Sequence, residues 1–250
     1  MSGSLYLLVP ALLLSSGARF HEETSARASG HLPEPHAAAA VGTEQPKSAA
    51  VELPPPPSMD TSLGVVLKTR RSKRRLSGDS LSVEEVSALL WAADGVSAQS
   101  PFGPLRTAPS AGALYPLELY CFVERVSGLA TGLYRYDPQE HALEPVRWGS
   151  HRDRLPVCAF GQVSLERAPV VIAATAVFER CCSRYGDRGY RYVYQEAGHV
   201  SQNLYLAATA LNLGTVVIGA FYDDALNRLL GIDGAEEAVL WLHPVGRTTR

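Results

Sequence analysis

The sequence predicts an α+β fold, a mixed sheet flanked by helices with one long central helix. Three observations predict it. Apolar residues recur at a helical period from Val193 to Leu211, the signature of an extended packed helix. Runs that read as strands lie at 117–123, 169–178, 215–221 and 238–245, the second a long apolar run with β-branched residues. Helical and strand patterns do not alternate strictly, as they would in a doubly wound parallel sheet.

In chain order, residues 1–58 read as an N-terminal arm and 59–250 as one folded domain. Residues 5–14 are apolar and lead into Ser15, Ser16, Gly17 and Ala18, which mimics a secretory signal. No Lys or Arg precedes the run, Pro10 interrupts it, and a membrane-spanning helix needs about 20 apolar residues. The expectation is no membrane association and a cytoplasmic protein. Residues 19–58 contain alanine and proline tracts at 37–40 and 54–57, which favour extended or disordered chain. The domain is expected to begin near Asp60.

A short helix is predicted over 61–68, capped by Asp60 or Thr61. Ser82 and Glu85 have the spacing of a capping box, in which each side chain satisfies a free backbone N–H. They open a helix through Val86, Leu89, Leu90 and Ala93 that Gly95 ends. Residues 117–123 read as a strand. Residues 132–136 and 143–146 read as a hairpin turning at Asp137 and Pro138. The run at 169–178 reads as a buried strand. The long helix carries Val193, Ala197, Val200, Leu204, Ala208 and Leu211 on one stripe and is expected to stop at Gly214. Gln195, Glu196, His199, Gln202 and Asn203 are assigned to its other faces. Its small residues allow another helix close, so it is a core element or a subunit interface.

The formal net charge is −2 over 250 residues, which lacks the basic footprint of a nucleic-acid binder. The four cysteines form no C-x-x-C pair, and His141, His151, His199 and His243 lack metal-ligand spacing, so reduced thiols and no metal are expected. There is no G-x-G-x-x-G after a strand, no P-loop and no G-x-S-x-G elbow.

The remaining chemical clue is Arg70, Arg71, Ser72 and Arg74. Guanidinium groups bind phosphate in a forked manner and serine adds a donor. Taken alone, the segment reads more readily as a solvated basic run. Later blocks change its weight: Pro109-Ser-Ala-Gly112 running to Tyr115-Pro116, then Tyr185-Gly-Asp-Arg-Gly-Tyr-Arg191, Glu196-Ala-Gly-His-Val-Ser-Gln-Asn203, Val217-Ile-Gly219-Ala220-Phe221, and Val245-Gly-Arg247. In this order and spacing the set resembles the SagB/ThcOx-type dehydrogenases, a branch of the FMN-dependent nitroreductase superfamily, over residues 60–250.

The resemblance implies an FMN-binding homodimer with the flavin at the subunit interface. Arg70, Arg71, Ser72, Arg74 and Arg247 would hold phosphate and ribityl oxygens. Pro109, Ser110 and Gly112 would approach the isoalloxazine from the partner subunit. Gly219 and Ala220 would offer backbone groups to the flavin N5. On the residues alone, 109–116 also reads as a turn, Gly219 as a bulge, and Arg247 as a terminal charge.

Members of the branch oxidise azoline rings to azoles in ribosomal peptides, with a cyclodehydratase and a precursor peptide as partners. Their Lys-Tyr pair aligns with Arg184-Tyr185, the candidate catalytic residues here. Tyrosine needs help to act as a base, its ordinary pKa being about 10, and arginine supplies charge but cannot exchange a proton. Tyr185 also reads as a loop aromatic. Glu179, Arg180, Asp187 and Arg188 read as a loop salt-bridge network, and His199 as structural. Two other functions fit the same blocks: an NAD(P)H-dependent nitroreductase or quinone reductase, and a non-catalytic subunit of a peptide-modifying complex.

Overall fold

The computed structural model describes residues 15–28 and 49–249; the apolar run at 5–14 lies outside them. The elements in chain order are α1 Ser16–Thr24, β1 Val51–Glu52, α2 Leu63–Thr69, β2 Leu81–Ser82, α3 Val83–Asp94, β3 Val96–Ser100, β4 Gly103–Arg106, β5 Leu117–Val123, β6 Val126–Ser127, β7 Gly132–Asp137, β8 Ala142–Trp148, α4 Arg154–Cys158, α5 Val163–Arg167, β9 Val170–Val177, α6 Glu179–Tyr185, α7 Arg188–Ala210, β10 Gly214–Thr215, α8 Asp223–Leu230 and β11 Glu237–Gly246.

A seven-stranded sheet in the order β1-β8-β7-β5-β9-β11-β10 forms the centre. The register of β9 explains its continuous apolar sequence. Val170, Ile172, Ala174 and Ala176 face one core, beneath α3 and α7. Val171 and Ala173 face a second core shared with α4, α5 and α8. Side chains alternate across a strand, so a strand covered on both faces is apolar at every position. Neighbouring strands of this sheet pair antiparallel. Its parallel contribution is a bridge between Ser72 and Thr215 at the β10 edge, and that bridge carries Ser72 into the candidate site.

The stripe on α7 is buried at Val193, Ala197, Val200, Leu204 and Ala208. Two bonds lock the helix across the sheet: the Trp241 indole donates to the Ala197 carbonyl at 3.1 Å, and the Ser201 hydroxyl meets His243 Nε2 at 2.8 Å. The α3 capping box is present, with the Ser82 amide donating to Glu85 at 2.9 Å and the Glu85 amide to Ser82 at 3.3 Å.

Several expectations are corrected. The arm is not extended throughout: α1 is a helix capped by Ser15. It packs Phe20 and His21 against Tyr194 and Phe178, and the Ser16 amide donates to Asp187 at 3.0 Å. These ring contacts and the helix cap order a segment that composition alone marks as irregular. The sheet also reaches back before Asp60, because Val51 pairs with Leu143 and Leu53 is buried in the core.

Helix α2 is preceded by Ser62 without a side-chain cap; Asp60 instead accepts from Ser58, and Thr61 donates to Ala210. Gly214 does not end α7. The helix stops at Leu211, Asn212 takes the left-handed turn at φ 57°, and Gly214 starts β10, where a Cβ would strike Thr248 and the Lys73 side chain. The expected strand over 215–221 pairs regularly only at Gly214 and Thr215 and returns to β11 through one bridge between Ile218 and Leu242. The reason is that the Val217 amide is taken by a tyrosine hydroxyl. Finally, 179–188 is largely helical, as α6 and the start of α7, rather than a charged loop.

Candidate active site

The segment leaving α2 builds the first half of the site. Ser72 bridges Thr215, and the Lys73 amide donates to the Thr215 carbonyl at 2.8 Å. One α7 side chain gathers the surrounding groups. The Tyr205 hydroxyl lies 3.1 Å from Ser72 Oγ and accepts from the Val217 amide at 2.8 Å. The Arg70 guanidinium stands 5.1 Å over the same ring, a cation–π contact.

Behind Tyr205, His243 is wholly buried and packs edge-on to the tyrosine at 5.0 Å. Its Nε2 meets Ser201 and its Nδ1 meets Thr215 Oγ1 at 3.0 Å. Burial pushes the imidazole down to about 3, so it is neutral and splits its two nitrogens between donor and acceptor roles.

The other predicted phosphate ligands are occupied differently. Arg71 folds back onto the Lys68 and Arg70 carbonyls at 3.0 and 2.7 Å, satisfying the end of α2. Arg247 is ion-paired with Glu85 at 2.9 Å. Arg74 points into a cavity of about 630 Å³ lined also by Gln162, Ser164, Arg167 and Phe160. Phe160 packs against Tyr222 with the rings tilted and their centroids 4.4 Å apart. Gly219 and Ala220 lie on the exposed surface beyond Ile218, and nothing lies within 4 Å of where a Gly219 Cβ would be.

The second half surrounds the 109–116 loop. Ser110 Oγ accepts from the Tyr115 amide at 2.9 Å and shares a hydrogen bond with the Glu196 carboxyl. Gly112 has φ 64°, a conformation suited to glycine. A Cβ there would lie 2.7 Å from the Tyr185 hydroxyl and 3.1 Å from Arg184 Nη1. The loop therefore sits on the candidate catalytic pair, which close at the C-terminal end of α6. Arg184 stands 5.5 Å over the Tyr185 ring, and Tyr192 packs edge-on at 5.0 Å. Arg106 stacks 4.5 Å over Tyr115. Arg180 donates to the Tyr115 carbonyl at 3.1 Å and pairs with Glu118 at 2.5 Å. These contacts, and the bond from Ser16 to Asp187, replace the expected salt-bridge network among 179–188.

The two halves meet α7 at different levels: the loop faces it at Glu196, and Tyr205 lies nine residues on, about 14 Å along the helix at about 1.5 Å per residue. Tyr205, Glu196, Gln162 and Ser164 were not among the residues that the sequence pointed to as a site. A signal existed for two of them. Glu196 is three residues from Val193 and four from Val200, and Tyr205 is four from Ser201 and three from Ala208, so helical spacing sets both beside the buried stripe; the assignment of Glu196 to another face is thereby corrected, since it is buried. Gln162 and Ser164 lie where no motif or periodic pattern stood out.

The nitroreductase family model matches residues 67–247. The chain belongs to the nitroreductase family. Its members are FMN-dependent oxidoreductases. A nitroreductase-like protein of Methanocaldococcus jannaschii is 42% identical over 197 residues, spanning 79% of this chain and 96% of its own length. The microcin B17-processing protein McbC of Escherichia coli is 29% identical over 160 residues, which are 61% of this chain and 57% of McbC. In three dimensions, the crystal structure of a nitroreductase-like protein from Ralstonia eutropha superposes with a TM-score of 0.70 at 28% identity, covering 90% of this chain and 99% of that one.

The residues present fit the family's cofactor. Arg70 and Ser72 offer a cation and a hydroxyl to a phosphate or ribityl oxygen. Gly219 leaves room for a flat ring. Ser164 is buried beside the Arg74 cavity with a hydroxyl that has no partner among the described residues, and a bound polar edge would satisfy it.

Proposed function

We propose that this nitroreductase-family protein is a homodimeric, cytoplasmic, FMN-dependent dehydrogenase that oxidises azoline rings to azoles in a peptide substrate. The observation that carries this reading is the seating of Arg184 and Tyr185 against Gly112 of the 109–116 loop. FMN, when bound, supplies the hydride acceptor. Each ring gives up a hydride and a proton, and Tyr185 takes the proton at its hydroxyl oxygen. Tyr185 acts as the tyrosinate, which the Arg184 guanidinium stabilises before the transfer without itself exchanging a proton. The similarity to McbC, named as a microcin-processing protein, supports a peptide substrate. A precursor peptide and a cyclodehydratase that forms its azolines are the partners.

In this reading Arg70, Ser72 and Arg74 hold the flavin, with Gly219 and Ala220 at its N5 edge. Arg71 and Arg247 join by exchanging their present partners for phosphate. The loop of a second copy covers the ring through Pro109, Ser110 and Gly112, since the chain's own loop meets α7 at Glu196, nine residues from the Tyr205 that holds Ser72. The exposed face of α7, with Arg191, Gln195, Gly198, His199 and Gln202, is the seam between copies.

The test is mass spectrometry of an azoline-containing peptide after incubation with the flavin-loaded protein. Loss of two hydrogens per ring is expected, and its absence under all electron acceptors tried would sink the reading. A second reading, an NAD(P)H-dependent nitroreductase or quinone reductase, draws on the 42% identity to the M. jannaschii protein and on arginine rather than lysine at Arg184. Rapid anaerobic bleaching of the flavin by NAD(P)H would favour it.

A further inference from the structure

Three charged side chains are buried together beneath the 109–116 loop. Glu196 comes from α7 and is 2% exposed; Asp94 ends α3 and is also 2% exposed. Arg106 on β4 is ion-paired with Asp94. The Glu196 carboxyl faces the Ser110 hydroxyl. Its Oε1 is buried with no hydrogen-bond partner among the described residues. An unpaired buried carboxyl oxygen destabilises a helix that an apolar side chain would stabilise. The cost calls for a function.

We propose that Glu196 is a positioning residue for the flavin-facing loop: its carboxyl holds Ser110, and through it residues 109–112, against the cofactor bound by a second copy. The inference rests on the flavin reading above. Ser110 is the hinge of the arrangement. Its oxygen accepts from the Tyr115 amide and its bond to Glu196 ties the loop to the rigid α7. At the loop's other end, Gly112 rests on Tyr185 and Arg184.

The cluster also holds a proton. Burial pushes the Glu196 carboxyl up to about 7 against the pull of Ser110 and Arg106, and Asp94 up to about 7 against Arg106. The groups facing Glu196 are Asp94, Arg106, Ser110 and, from α6, the Cys181 thiol. One guanidinium balances one carboxylate, so the two acids titrate as a unit that keeps one proton at neutral pH. As pH rises through about 7, that proton leaves and a net negative charge appears under the loop. A negative charge near a flavin disfavours its reduction.

The test uses the full-length protein titrated with FMN, and redox titration of the bound flavin between about pH 6 and about pH 8. The wild type is expected to bind FMN and to show a steeper fall of midpoint potential with pH near 7. Glu196→Gln, which keeps a hydrogen bond to Ser110 but cannot ionise, is expected to bind FMN like wild type and to lack the steep segment. Glu196→Ala and Ser110→Ala are expected to bind FMN about tenfold more weakly. If Glu196→Gln retains the steep segment, or Glu196→Ala folds and binds FMN as wild type does, the inference is overturned while the flavin reading stands. If the wild type binds no FMN, both fall. Should Glu196→Ala not fold, the Glu196→Gln titration decides.

Discussion

Tyr205 gathers Arg70, Ser72 and the Val217 amide around one ring. Tyr205→Phe removes two hydrogen bonds, each contributing about 1 kcal/mol. It should weaken FMN binding about tenfold in a fluorescence titration. Tyr205→Leu, which also loses the Arg70 contact, should weaken it further. Tyr185→Phe should abolish substrate oxidation while the protein keeps its flavin spectrum; unchanged turnover would remove Tyr185 from the chemistry. His243 gives a pH prediction. Its folded pKa, about 3, lies below the ordinary imidazole value of 6.5. The unfolded chain therefore binds more protons as pH falls, and the stability that neutral His243 contributes is present above about 6.5 and lost towards about 3. His151, pushed by burial to about 4, acts in the same direction. Glu196 and Asp94 act oppositely: their raised pKa values favour the folded state below about 4 and lose that contribution as pH rises towards about 7. Urea denaturation at pH 7.5 and 5 should show His243→Asn losing less stability on acidification than wild type.

The individual elements divide by how local their cause is. The capping box of α3 and the stripe of α7 follow from residues three and four apart, and both were legible. Ser82→Ala should cost about 1 kcal/mol, read as a lower melting temperature. The short helices α4, α5 and α8 and the hairpin of β3 and β4 were not legible, because too few periodic positions mark them. Helix α1 depends on a distant surface. A Cβ on Gly17 would strike the Tyr190 ring, so Gly17→Ala should undock α1. Limited proteolysis would show faster cleavage of the arm with the core intact.

For the whole molecule, the two halves of the site, set at different levels of α7, make the homodimer reading testable. Ser72→Ala impairs one half and Gly112→Ala the other. In a two-fold dimer each composite site takes one half from each chain. Mixing and refolding the two variants should restore about a quarter of the wild-type sites through heterodimers. No recovery would show that each chain builds its site alone.

The central strands and the long helix were legible because short-range patterns encode them; Arg70, Ser72, the 109–112 loop and Arg184-Tyr185 entered as candidates only through the resemblance of an ordered set of blocks. What these residues touch was not legible. Whether Arg71 meets a ligand or its own helix end, whether Arg247 is free or paired with Glu85, and that Glu196 lies beneath Ser110 depend on contacts between residues far apart in the chain. Local sequence determined the elements and the chemical inventory through spacing and side-chain type. Tertiary packing decided the site, since only folding across both faces of the sheet buries Glu196 and His243 and gives each a partner.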